Sequence, residues 1–423
     1  MRQAKLVFVA CLMILAGGCA KMTLAWADLS GGGPDASPPL FADETPTAED
    51  WETKQAPARR AAFEDYVYGA MPDASSTEII SHRTIDAAAF GGAGVLEEYE
   101  LVASATFGGE TRSTKPFFID VLAPAGASGP VPVIMMESFC PRTSTIPHAG
   151  VARLDDGDFC QSGEFMSGLM TYVFGRYIAT PPVETILARG YAIAALYPSE
   201  AVPDSSGPGL EALAALSAGH ADDETRWGAV AAWGWLFSRA VDVLETDERL
   251  DNDGFVAWGH SRYGKAALVA AAWDKRIDAV IAHQSGTGGA SLNRRKKGES
   301  VGAITRDYPH WFSARYAEMA GREAELPVDQ HELLALIAPR PVFLGNARRD
   351  VWSDPNGAFR AAKAASPAYA LYGSNGLDQE RLDRFNPQAD LSFWIRPGTH
   401  GVVKEDWPAF LEFLDARYKA PKS

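Results

Sequence analysis

A serine, an aspartate and a histidine, each just past an apolar run, are the residues of this chain best suited to do chemistry. Ser261 stands in Gly259-His260-Ser261-Arg262-Tyr263-Gly264-Lys265. The apolar run Phe255-Val256-Ala257-Trp258 before it reads as a strand, and Ala266 to Trp273 after it reads as a helix. Gly259 and Gly264 bracket the serine as in a stretched G-x-S-x-G elbow, where small neighbours tolerate a strained serine backbone. Such a turn lifts the hydroxyl above a sheet edge, at a helix N-terminus whose N–H groups stabilise a developing oxyanion. The alternative is a surface serine on an ordinary strand, glycine turn and helix.

A serine hydroxyl is a poor nucleophile until a base takes its proton. His400, in Gly398-Thr399-His400-Gly401 after the strand-like Leu391 to Ile395, is the candidate base. A base of this kind needs an acid to hold its tautomer and balance the imidazolium. Asp350, beyond the strand-like Pro341-Val342-Phe343-Leu344, is that candidate; Asp354 competes but abuts Pro355 and lies farther from the strand end. The chain order Ser261, Asp350, His400 is that of α/β-hydrolases. Otherwise Asp350 is a capping or surface acid and His400 a loop histidine.

Elements of an α/β fold must carry these residues. Strand-like runs at Thr77 to Thr84, Val95 to Ala105, Pro116 to Leu122 and Val131 to Met136 read as leading antiparallel strands. Downstream, the strands Gly190 to Tyr197, Phe255 to Trp258, Asp278 to Ala282, Pro341 to Leu344 and Leu391 to Ile395 alternate with helical segments. That alternation predicts a three-layer sandwich on a mostly parallel mixed sheet, whose carboxyl ends face the ligand crevice. Three long insertions interrupt it, at 138–185, 199–223 and 286–330. Helices are expected over 47–69, 226–245, 331–337, 359–365 and 404–417. Trp227, Trp233 and Trp235 read as core.

Of the 423 residues, 47% are hydrophobic and 10% aromatic, enough for one large core. The net charge of −15 argues against a nucleic-acid partner. Residues 1–27 read as an export signal: Arg2 and Lys5, an apolar run from Leu6 to Gly18, then Ala25-Trp26-Ala27 before Asp28. A lipoprotein leader ending at Cys19 is the second reading, and no other segment reads as a membrane span. The expectation is an exported protein, periplasmic or secreted. Residues 28–45, rich in Gly, Pro and Asp, read as a flexible tether to a domain over 46–423. Beyond the leader's Cys11 and Cys19, only Cys140 and Cys160 remain, and an oxidising compartment would let them pair. Two buried free thiols are the alternative. No Cys or His spacing reads as a metal site, and no cofactor is expected.

The elbow resembles the Gly-Cys-Ser-Arg-x-Gly-Lys signature of the glucuronoyl esterases, carbohydrate esterase family fifteen. Further matching runs are Gln284 to Ala290, Gly298 to Val301, Tyr308 to Phe312, Leu326 to His331, Ile337 to Pro341, Asp350 to Pro355 and His400. Together they span roughly residues 45–418. The resemblance implies an α/β-hydrolase fold and cleavage of esters between 4-O-methyl-glucuronic acid on glucuronoxylan and lignin alcohols. It gives Arg262 an oxyanion role through its side chain, and gives Lys265, Glu299 and Trp352 the positions that hold the uronate sugar. The plain alternatives are a salt-bridging arginine, a helix-surface lysine, a loop acid and a core tryptophan. Two positions depart from the pattern. His260 stands where the family has a cysteine, so a disulfide there is absent. Gln284 stands where many members carry the acid as glutamate, which moves the acid to Asp350. A monomer is expected. An acetyl-xylan or other carbohydrate esterase, or a catalytically silent carbohydrate-binding protein on the same fold, are the competing functions.

Overall fold

The computed structural model describes residues 26–31, 39–41, 44–152, 160, 164–294 and 297–419. Its centre is one sheet of ten strands: β1 (Ala74–Ala88), β2 (Gly94–Phe107), β3 (Glu110–Ser113), β4 (Phe117–Pro124), β5 (Val131–Glu137), β6 (Ala192–Leu196), β7 (Leu250–His260), β8 (Ala279–His283), β9 (Val342–Ala347) and β10 (Leu391–Arg396). The order is β1-β2-β4-β6-β5-β7-β8-β9-β10, with β3 paired to β2. β1, β2, β3 and β4 pair antiparallel, as does β4 with β6; from β6 to β10 every pair is parallel. This is the α/β-hydrolase arrangement that the alternation of strands and helices predicts.

Period-two alternation splits the core into two layers. Phe255 and Ala257 of β7 face one layer; Val256 and Trp258 face the other. The first layer holds α1 (Ser206–Leu216), α2 (Ala229–Leu244), α3 (Arg262–Trp273), α4 (Gln330–Ala335) and α5 (Pro355–Ala370). α2 is buried along nearly its whole length, with only Asp242 partly exposed, and it packs against α3. The second layer holds α6 (Asp406–Tyr418), whose Trp407, Phe410, Phe413 and Leu414 pack beneath Trp258, Ile281 and Phe343.

Four expectations change in detail. Val131 to Met136, read among the leading antiparallel strands, forms β5, which pairs parallel with both β6 and β7. The segment 199–223, read as a polar insertion, carries α1, since Leu213 and Leu216 give it an apolar face. The helix expected at 359–365 starts earlier, at Pro355, because Asp354 caps it by accepting from the Gly357 N–H. Described parts of the 28–45 tether are docked: Leu40 is buried and its carbonyl accepts from Arg59, and Asp28 exchanges hydrogen bonds with Asn356. At the end of the expected leader, Ala27 is buried and its N–H reaches the Arg348 carbonyl. Cys11 and Cys19 lie outside the described residues.

Cys140 and Cys160 form a disulfide that closes a 20-residue separation. Arg142, almost fully buried, sits beside it and reaches Asp120, Glu98 and Glu200. Burial pushes the Asp120 carboxyl up to about 7, even though Arg142 opposes the shift. For a loop of this size, loss of the cross-link should cost about 3 kcal/mol by loop-closure entropy. Denaturant melts of the Cys140→Ser/Cys160→Ser double variant should show that loss, and thiol titration of the unreduced wild type should find none of this pair free. An unchanged midpoint would mean the bridge does not constrain the chain.

Candidate active site

The elbow forms where β7 ends. Ser261 has φ 58° and ψ −121°, a left-handed conformation that costs energy for a residue with a Cβ. Its N–H donates to the His283 carbonyl at 2.8 Å, and its own carbonyl accepts from the Gly264 and Lys265 N–H groups. The turn closes so tightly that a Cβ on Gly259 would lie 2.1 Å from the Tyr263 oxygen, so only glycine fits there. α3 begins at Arg262, and its N-terminal amides lie beneath the serine.

Asp350 follows β9 and is fully buried. Its Oδ2 lies 2.8 Å from His400 Nδ1, and Oδ1 accepts from the Ser353 N–H at 3.4 Å. Burial alone would raise this carboxyl; the facing His400 and Ser353 outweigh it and hold the group below the ordinary aspartate value. Asp354 is spent on capping α5 and accepts from the Lys297 N–H as well. The structure thus joins Asp350, and not its neighbour, to the histidine.

The loop carrying His400 is clamped from two sides. Arg396 donates to the carbonyls of Thr399 at 3.2 Å and Gly401 at 2.7 Å, while its Nε pairs with Asp406. Gln284 donates from Nε2 to Thr399 O at 3.3 Å and accepts from the Gly401 N–H at 2.8 Å. An amide can do both at once; an ionised carboxylate cannot donate.

Arg262 turns towards a cavity of about 960 Å³, which Tyr197, Glu200, Asp204 and Pro208 also line. Its Nη1 ion-pairs with Asp204 Oδ2, and its guanidinium lies 4.7 Å from the Trp311 ring centroid. Asp204 Oδ1 also accepts from Trp311 Nε1 at 2.9 Å and faces His310 Nε2 at 3.0 Å. Burial opposes ionisation of Asp204, but His310, Arg262 and Trp311 together bring it down to about 2. The acid therefore stays charged and fixes the arginine. Sequence reasoning missed Asp204, which sits 58 residues before its partner in an insertion with no motif of its own.

A family model described as "Glucuronyl esterase, fungi" matches residues 221–373. The carbohydrate esterase MZ0003, from an unknown prokaryotic organism, is 33% identical over 376 residues, 87% of this chain and 85% of that protein. The chain belongs to carbohydrate esterase family fifteen, the glucuronoyl esterases of the α/β-hydrolase superfamily. It is a carboxylic ester hydrolase. Among solved structures, a promiscuous family-fifteen esterase from the marine bacterial metagenome superimposes with a TM-score of 0.73 at 28% identity, covering 93% of this chain and all of that one. A glucuronoyl esterase from Solibacter usitatus gives 0.72 at 33% identity, covering 88% and 94%.

The three residues that the resemblance gives to the sugar lie on different elements and meet through the 286–330 insertion. Lys265 is buried and donates to the carbonyls of Ser285 at 2.5 Å and Thr287 at 2.7 Å. Thr287 in turn donates to the Glu299 carbonyl, and the Glu299 N–H donates to Trp352 O at 3.0 Å. Trp352 is 42% exposed, an unusual state for so large a ring. Lys265, Glu299 and Trp352 are thus linked in one chain of contacts, with the tryptophan at its open end. No group of three or more His, Cys, Asp or Glu among the described residues is arranged to hold a metal ion.

Proposed function

We propose that this esterase cleaves the ester between 4-O-methyl-glucuronic acid of glucuronoxylan and a lignin alcohol. The observation that carries the reading is the strained Ser261 turn beside the His400–Asp350 pair. Relatives support the substrate: the Hypocrea jecorina 4-O-methyl-glucuronoyl methylesterase is 35% identical over 156 residues. Ser261 Oγ attacks the uronate carbonyl as His400 takes its proton, giving a tetrahedral oxyanion. Arg262 and the amides at the start of α3 stabilise that charge; a guanidinium held by Asp204 needs no reorganisation to do so. His400 then returns the proton to the departing alcohol. Water, deprotonated by the same histidine, attacks the acyl-enzyme; the bond to Ser261 Oγ breaks, His400 returns the proton to that oxygen, and the uronate is freed. Asp350 holds the Nδ1–H tautomer throughout. Lys265, Glu299 and Trp352 bind the sugar that carries the carboxyl, so specificity lies in the acid half of the ester. The protein works outside the cytoplasm, exported by its leader, as a monomer.

A substrate panel tests this. Methyl, benzyl and allyl glucuronates should be cleaved far faster than acetylated xylan or aryl acetates. Glu299→Gln should lower kcat/KM strongly on glucuronates and barely on a small aryl acetate, because losing a contact to a substrate hydroxyl leaves buried polar groups unpaired. Equal rates on acetates would favour a general carbohydrate esterase, and no turnover of any ester would mean a silent carbohydrate-binding protein.

A further inference from the structure

Behind His400 stands a second histidine array that the proposed mechanism does not use. His260 ends β7 and His283 ends β8, and the parallel register places them side by side on the same face of the sheet. Both are buried. Their Nδ1 atoms are 3.1 Å apart. Gly345 of the neighbouring strand makes room for the second ring: a Cβ there would lie 2.4 Å from His283 Cδ2. On its far side, His283 Nε2 faces Asp406 Oδ1 at 3.5 Å; burial would raise the Asp406 carboxyl, but the facing His283, then Arg396 and the Val403 N–H, hold it below its ordinary value. On the near side, the His260 ring lies against the His400 ring, with centroids 4.6 Å apart and planes tilted by 44°.

These contacts decide where the protons sit. A neutral imidazole has one N–H and one bare nitrogen. With a carboxylate facing Nε2, His283 keeps its proton there, so its Nδ1 is bare and can only accept. His260 must then carry its proton on Nδ1 and donate it to His283. The reverse pairing would set a bare nitrogen against the Asp406 carboxylate. After burial itself, the groups that weigh most against a charge on His260 are His400, His283, Arg396 and Arg262. Burial and those neighbours oppose a second proton on the ring.

We propose that His283 and His260, ordered by Asp406, are positioning residues for His400. They present it with a neutral, fixed ring that supports the imidazolium formed as the serine is attacked. A charged ring at that distance would repel the imidazolium. The inference rests on the reading of His400 as the base.

The tautomers can be read in the wild-type enzyme by ¹⁵N NMR of its imidazoles. His283 should be protonated at Nε2 and His260 at Nδ1, and neither should titrate between about pH 5 and pH 8. The opposite tautomers, or titration of either ring across that range, would overturn the proposal. His260→Gln should lower kcat for methyl glucuronate by roughly tenfold to a hundredfold, the scale on which partners behind a functional histidine act. KM should stay nearly constant, because the contact matters only in the transition state. His283→Leu should lower kcat alike, and the double variant should be no slower than the worse single one. Wild-type kcat in His260→Gln sinks the array alone. His400→Gln, assayed beside it, separates the two readings: activity surviving there would sink the base assignment itself.

Discussion

Replacing Ser261 by alanine should lower kcat on methyl glucuronate by about a millionfold, the scale seen when the serine of a triad is removed. The size follows from the mechanism. Without the hydroxyl there is no acyl-enzyme, so His400 and Asp350 have nothing to activate. What survives is the oxyanion site, formed by Arg262 and the start of α3, acting on a water molecule. Such a remnant typically retains about 10³-fold to 10⁴-fold acceleration over water. Folding should be unaffected, since the Ser261 interactions seen in the turn are made by its backbone N–H and carbonyl. The measurement is kcat by direct assay, with pre-steady-state kinetics on the wild type to show the alcohol burst of acylation. A variant that keeps more than about one per cent of the wild-type rate would remove Ser261 from the reaction, a margin far above the triad remnant.

Asp350→Asn should lower kcat by about 10⁴, with the fold intact. The Asp350 carboxylate accepts the Nδ1 proton of His400 at 2.8 Å, which leaves Nε2 bare to act as base. An asparagine can instead present its NH₂ group to Nδ1 and favour the wrong tautomer. Asp354→Asn is the control. That side chain caps α5, and an asparagine oxygen can still accept from the Gly357 N–H, so the change should cost little stability and little rate. Because Asp350 is held below the ordinary carboxylate value, its contribution to stability is present at neutral pH and is lost as pH falls through the lowered value. Wild type and Asp350→Asn should therefore approach one another in melting temperature under acid conditions. Near-normal turnover in Asp350→Asn with collapse in Asp354→Asn would exchange the two assignments.

Much of this site was legible in the chain because its chemistry is punctuated locally. Glycines around a serine, an apolar run before it and a helix after it are contiguous signals, and they predict the turn that the structure shows. Asp350 and His400 were legible for a related reason: each follows a strand, and in a parallel sheet the strand ends share one edge. Cys140 and Cys160 offered only their number and context, and the fold supplies their proximity.

Contacts set by register and by long-range packing were not legible. The pairing of His260 with His283 depends on β7 and β8 ending level, which no local pattern encodes. Asp204 reaches Arg262 only because α1 and its flanking loop fold over the edge of the sheet. The Gln284 amide at a carboxylate position looked like a lost acid, and only its two opposite hydrogen bonds to the His400 loop show what it holds. The 28–45 segment had the composition of a tether, yet Leu40 is buried and Phe41 packs edge-on against Trp51. Composition averages over a segment, whereas burial is decided residue by residue, according to whether one side chain meets a surface that fits it. Periodicity, turn chemistry and chain order thus determined the sheet, the elbow and the order of the candidate triad. The charges and rings that hold the triad in place come from distant parts of the chain, and only tertiary packing brings them within a few ångströms.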